Sequence, residues 1–309
     1  MFEKVKIKNI KNILLCLLRE GSATKPQLVR ATALSNSTVS DAVNAMLALG
    51  FLLTDGEEAS IGGRRSRIYR LNAGFGCFLG LCLAPDAVHL CRTDARGALL
   101  AWSRVPWQAG EPADQQLYGL LETACADRTW GEVLGVGIGV DGAVDYPAQT
   151  VVHSGLPAWD GVPLSAALHD RFGPCFLTDH LINGQIALHK VFGGARETDD
   201  FAVLCEDFGR KLALCLDGHT CRGAQNLCGQ AADLTGLCAA LGAAAPLLDL
   251  GRVLGGWRTP AGRRQLEALA AKPGMPPFQL YEAGEADLAL GMALLGEIRW
   301  FETVYYLVH

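Results

Sequence analysis

A chain of 309 residues, half of them hydrophobic and 19% charged, can bury two or three cores, which excludes a disordered or fibrous polypeptide. The formal charge of -5 is unevenly spread: residues 1–72 hold 11 Lys/Arg and 6 Asp/Glu, a balance of +5, while the rest holds 16 and 26, a balance of -10. A basic head on an acidic body predicts an anionic partner for the head alone. The opening "MFEKVKIKNI" lacks the pattern of a signal peptide, and eleven cysteines, among them Cys16, Cys82 and Cys215, lie in apolar stretches. They read as reduced core residues of a cytoplasmic protein, and the short, broken apolar runs predict no membrane span.

In chain order, residues 11–21 place Ile13, Leu14, Leu17 and Leu18 at helical spacing before Gly21, a natural stop. Thr24 is suited to cap a second helix with Pro26 in its first turn, and Ser35 a third, whose buried stripe is Val39, Val43, Met46 and Leu47. The opposite face of the third helix carries Asn36, Ser37, Thr38, Ser40, Asp41 and Asn44. A hairpin follows, its strands at residues 51–54 and 67–72 joined by "DGEEASIGGRRS". Two glycines free the tip, from which Arg64, Arg65 and Arg67 project. Taken singly, the polar helix face reads as solvated and the arginines as a solubilising loop. In this order they predict a winged helix-turn-helix that reads double-stranded DNA through Asn36, Ser37, Thr38, Ser40 and Asn44 and touches phosphates through Arg64, Arg65 and Arg67. Asp41 is the discordant residue, suited only to a cytosine amino group.

Past the linker "LNAGFG", the body predicts three strands with turns at "APDA" and "DARG", then a helix at "DQQLYGLLETAC". "VLGVGIGVDGAVD" reads as a buried strand entering a glycine-rich turn. Strands at residues 176–177 and 201–205 flank a helix, and "KLALCLDGHTCRGA" is a hairpin turning at Asp217-Gly218. The remainder reads as mostly helical. The repeated strand-then-helix pattern predicts an α/β body of two lobes with a cleft between them.

"VLGVGIGVDGAVDYPAQTVVHSGLPAWDGVPLSAAL" resembles the signature segment of the ROK family of repressors and sugar kinases, and "GGRRSRIYRLN" resembles its wing-to-body junction. The resemblance covers nearly the whole chain. It implies a winged helix-turn-helix at residues 1–72 ahead of an actin-like sugar-kinase body. The first lobe is expected at residues 73–175, completed by a helix at 286–309, and the second at 176–285.

Against the family pattern the catalytic parts are altered. The first phosphate loop falls at "CLAPDAVHL", which has no glycine pair, and the second at "DFGRK", where only Gly209 remains. Both changes argue against ATP binding. The general base aligns with Leu181, which accepts no proton; nearby Asp179 reads as a helix cap rather than a substitute. Gln230 and Asp233 replace a sugar-binding Glu and a zinc-binding His, the zinc loop is missing, and Trp159 is kept while the preceding Asn is Gly155. Cys215, His219, Cys221 and Cys228 lack a paired knuckle and read as core packing rather than a metal site.

The resemblance therefore implies a regulator of carbohydrate-related genes, a repressor in type, with no catalytic residue, metal or cofactor. Its body would be an inactive sugar-kinase fold serving as effector and oligomerisation domain. Trp159, His180, Asn183, Gln230 and Asp233 are the candidate ligand residues, a sugar or sugar phosphate the effector, and a homodimer or homotetramer the assembly. The alternatives are a sugar or amino-sugar kinase that kept a regulator head, and a DNA-binding oligomer that senses no ligand.

Overall fold

The computed structural model describes residues 2–57, 66–129, 131–206, 211–223, 228, 234–245 and 247–308. The head opens with α1 (Phe2–Glu20), ended by Gly21 at φ 74°, and strand β1 (Ser22–Thr24). The sequence pattern predicts only the second half of α1, because charged residues alternate with apolar ones over its first turns. Helix α2 (Lys25–Thr32) starts in a capping box, with Gln27 N donating to Thr24 Oγ1 at 3.4 Å and Thr24 N donating to Gln27 Oε1 at 2.7 Å. Helix α3 (Asn36–Ala48) is capped by Ser35, whose Oγ accepts from Thr38 N at 3.1 Å. Val39, Val43 and Met46 are buried as their spacing predicts, and Leu47 is half-buried. Strands β2 (Leu52–Glu57) and β3 (Arg67–Leu71) pair antiparallel and complete a three-stranded sheet in the order β1-β3-β2.

The body starts with β4 (Cys77–Leu83), β5 (Ala87–Asp94) and β6 (Leu99–Pro106), then α4 (Ala113–Ala126) and β7 (Val133–Val140). A small hairpin, β8 (Gly142–Asp145) and β9 (Thr150–Ser154), leads to α5 (Leu164–Phe172), β10 (Cys175–His180) and α6 (Asn183–Val191). Next come β11 (Phe201–Cys205), β12 (Lys211–Leu216), β13 (His219–Cys221) and α7 (Leu234–Ala244). The chain continues through β14 (Arg252–Trp257), α8 (Pro260–Ala270), β15 (Phe278–Glu282) and α9 (Asp287–Val308). Strands β14 and β15 fall where the sequence pattern predicts mostly helix.

Two five-stranded sheets share one topology. The first runs β10-β7-β4-β5-β6 and the second β13-β12-β11-β14-β15. In each, three consecutive strands pair antiparallel and two further strands add in parallel beside the first. Because β10 pairs with β7 from Cys175↔Gly135 to His180↔Val140, the first sheet extends through His180. The lobe boundary expected at residue 176 is corrected accordingly. Alternate glycines of β7 let α9 lie directly on this sheet: a Cβ at Gly137 would stand 1.9 Å from the Met292 carbonyl oxygen. Helices α6 and α9 likewise meet backbone to backbone at Gly184 and Gly291.

One apolar cluster spans head and body. It joins Leu14, Leu17, Leu28, Val43 and Phe51 to Phe78, Val191, Leu294, Trp300 and Phe301. The Phe51 ring lies 5.0 Å from Phe301, 5.5 Å from Trp300 and, edge-on, 5.2 Å from Phe75. Phe75 sits in the segment read as a linker, which is held down further by Asn72 N donating to Phe51 O at 2.9 Å and Asn72 Nδ2 to Gly50 O at 2.9 Å. The head is thus packed on the body through shared side chains. Helix α6 runs from the first sheet's end to this cluster, which Val191 enters.

Candidate functional site

On the head, Asn36, Ser37 and Asn44 are exposed and Thr38 and Ser40 half-buried, all on α3. The Ser37 and Thr38 hydroxyls both meet the cap oxygen of Ser35, at 2.9 and 2.8 Å, so the start of this face is held in one arrangement. Asn44 Oδ1 accepts from Lys25 Nζ at 3.1 Å, and the same ammonium lies 5.9 Å from the centre of the Tyr69 ring. Lys25, which no motif in the sequence marks, thus ties the start of α2 to α3 and to β3. Arg67 is exposed at the start of β3, while Arg70 is paired with Asp55 at 3.3 Å. Arg64 and Arg65 lie outside the described residues, as do Gln230 and Asp233.

In the body, the parallel strands β7 and β10 of the first sheet end side by side, where α/β folds commonly place ligands. Asp179 and His180 close β10, Asp141 follows β7, and Tyr146 follows β8. From the second sheet come Lys211, at the start of β12, and Arg222, just after β13. Among the described residues, two ion pairs join the sheets. Lys211 Nζ stands 2.6 Å from Asp141 Oδ1, and Arg222 Nη2 stands 2.6 Å from Asp179 Oδ2. The Arg222 guanidinium also lies 3.7 Å from the centre of the Tyr146 ring, a cation–π contact.

Asp179 does not cap α6. That helix begins at Asn183 with Ile182 in helical geometry before it and no side-chain cap. The Asp179 side chain is 2% exposed and instead accepts from His180 N at 2.8 Å, from Asn183 Nδ2 at 2.8 Å and from Arg222. A buried carboxylate must be charge-paired and hydrogen-bonded, and a partner in the other lobe supplies that more completely than a helix end.

His180 Nδ1 accepts from Ile182 N at 3.3 Å, which places its proton on Nε2. That N–H is buried without a hydrogen-bond partner among the described residues. Burial, with Lys211 nearby, lowers the His180 pKa to about 4, so the ring is neutral at pH 7. Leu181 is wholly buried against Ile182, Met292 and neighbouring apolar side chains, so its position carries no proton acceptor.

Trp159 is 2% exposed and packs with Val140, Val144, Leu164 and Leu168 in the core of the first lobe. Its indole Nε1 is buried without a hydrogen-bond partner among the described residues. Cys215 is buried among apolar residues while His219 is exposed, so the four Cys/His residues weighed as metal ligands do not converge. Among the described residues no group of three or more metal-ligating side chains occurs, and no helix is long and apolar enough to cross a membrane.

No family model matches the chain. A putative xylose repressor from Caldicellulosiruptor sp. (strain Rt8B.4) is 26% identical over 236 residues, covering 74% of this chain and 59% of the relative, so the chain spans about three fifths of that protein's length. Among solved structures, a ROK-family transcriptional regulator, a homologue of the E. coli MLC protein, superposes with a TM-score of 0.73 at 12% identity over 98% of each chain. A ROK-family glucokinase from Streptomyces griseus, solved with glucose and AMPPNP, superposes with a TM-score of 0.58 at 16% identity, over 72% of this chain and 99% of the kinase. The chain therefore has the two-lobed fold of ROK-family proteins.

Proposed function

We propose that the chain is a ROK-type transcriptional regulator. Its head (residues 1–72) would bind an operator in double-stranded DNA as a winged helix-turn-helix, and its body would be an inactive sugar-kinase fold that senses a ligand and assembles a homodimer or homotetramer. The observation that carries this reading is α3: a capped helix whose exposed face is polar, on a head packed into the body's own core. Asn36, Ser37, Thr38, Ser40 and Asn44 read base edges in the major groove, with Lys25 orienting Asn44. Arg64, Arg65 and Arg67 contact phosphates. The repressor name of the curated relative supports repression and a cytoplasmic location, and the sugar in that name supports carbohydrate-related targets.

Catalysis is absent in this reading because Leu181 replaces the base and Asp179 is consumed by Arg222. The effector is a sugar or sugar phosphate. Its hydroxyls find the unpaired His180 N–H and the Asn183 amide once the cross-lobe pairs part. Differential affinity for the opened cleft then biases the body, and α6 and α9, both anchored in the head–body core, carry the change to the DNA-binding surface.

The test is retention of genomic DNA fragments by the purified chain, followed by a screen of sugars and sugar phosphates for release. Enrichment of a few fragments sharing a two-fold repeated sequence is expected. Sequence-independent retention would overturn the operator reading, and phosphorylation of any hexose with ATP and magnesium would overturn the inactive body.

A further inference from the structure

Cys221 and Cys228 flank Arg222, which pairs with Asp179 of the first lobe. Their sulfur atoms lie 3.9 Å apart, both residues are half-buried, and neither thiol is in a disulfide. The backbone holds them in this relation. Cys221 is fixed on the second sheet opposite Leu214, and Cys228 N donates to Arg222 O at 3.1 Å. Gly223, at φ 74°, lies so close to Cys228 that a Cβ there would stand 3.5 Å from Cys228 Cβ. From 3.9 Å the sulfurs have about 2 Å to close to reach disulfide bonding distance. Cys215, by contrast, is buried in an apolar cluster that packs the two lobes together.

We propose that Cys221 and Cys228 form an oxidisable dithiol, a modification site that closes to an intramolecular disulfide by exchange with a low-molecular-weight disulfide. The Cys221 thiolate attacks one sulfur of that disulfide, forming a mixed disulfide and expelling one small thiolate. The Cys228 thiolate then attacks Cys221 Sγ and expels the second. Two cysteine thiols are oxidised, one small disulfide is reduced to two thiols, and the two protons pass to the thiolates released. Burial, with Cys221 beside it, pushes the Cys228 thiol up to about 11, so the closing step quickens as pH rises. The bond joins the residues on either side of Arg222 and ties the segment that reaches across to Asp179. The chemistry of the two thiols stands whether or not the head binds DNA.

The test treats the full chain with oxidised glutathione at pH 7 and pH 9, blocks free thiols with N-ethylmaleimide and maps peptides. A Cys221–Cys228 cross-link lighter by two hydrogens is expected, forming faster at pH 9. Cys221→Ser and Cys228→Ser each abolish it, and Cys228→Ser leaves a stable glutathione adduct on Cys221. Cys125 and Cys175, also half-buried, serve as internal references for simple thiol exchange. A lasting glutathione adduct on Cys221 in the unmodified sequence would overturn the proposal. So would full alkylation of both thiols after oxidation, with the protein shown to be folded by circular dichroism.

Discussion

The Arg222 guanidinium reaches from the second lobe to the Asp179 carboxylate of the first, at 2.6 Å, across a sequence separation of 43 residues. Asp179 is almost wholly buried, so the pair satisfies a charge that has no access to water. Arg222→Met leaves that carboxylate uncompensated and is expected to cost about 3–5 kcal/mol in urea unfolding. The double variant Asp179→Leu/Arg222→Met removes both charges and is expected to recover most of the loss. A single variant as stable as the parent would show that the pair does not hold the lobes together.

Acid should loosen the fold through buried imidazoles. The pKa values of His180 and His189 are each lowered to about 4, chiefly by burial, against an ordinary value near 6.5. The unfolded chain therefore binds more protons between these values. This part of the stability is complete above about pH 6.5 and is lost as pH falls towards 4, by up to about 3 kcal/mol for each ring. His189→Phe should flatten the dependence of Tm on pH over that window. An unchanged slope would contradict the assignment.

The head's attachment depends on a few aromatic rings. Trp300 packs on Phe51, Phe75 and Phe78, with ring centroids 5.5, 5.8 and 5.6 Å away. Trp300→Ala is expected to cost about 3–5 kcal/mol and to make residues 1–72 cleavable by protease before the body unfolds. Cleavage of both parts at one rate would mean that the aromatic cluster is not what fastens the head.

Much of this arrangement is legible in local chemistry. Thr24 and Ser35 announce their helices because a hydroxyl at that place has backbone donors to satisfy, and Asp217-Gly218, at φ 51° and 70°, announces its hairpin. Strands β14 and β15 are not legible, since "RVLGGW" is short and carries two glycines that make room for its neighbour: a Cβ at Gly255 would stand 2.7 Å from the Phe278 ring. The cleft is legible only in part. His180 and Asn183 can be named from the strand-to-helix junction, but Lys211, Arg222, Asp141 and Tyr146 meet through the tertiary fold, and no spacing in the chain signals an ion pair between lobes. Asp179 resembles a cap in the sequence because a cap is local, whereas its true partner is not.

The central claim is that the head binds operator DNA through α3 and a basic hairpin tip, and affinity for a retained DNA fragment measured from 50 to 200 mM salt tests it most directly. The unmodified chain should lose affinity steeply as salt rises, and Arg64→Ala/Arg65→Ala should weaken binding and reduce the log–log slope by about 0.9 for each phosphate no longer neutralised. Asn44→Ala should weaken binding to that fragment while leaving the slope unchanged. Equal affinity and equal slope for the parent and the arginine variant would contradict the account.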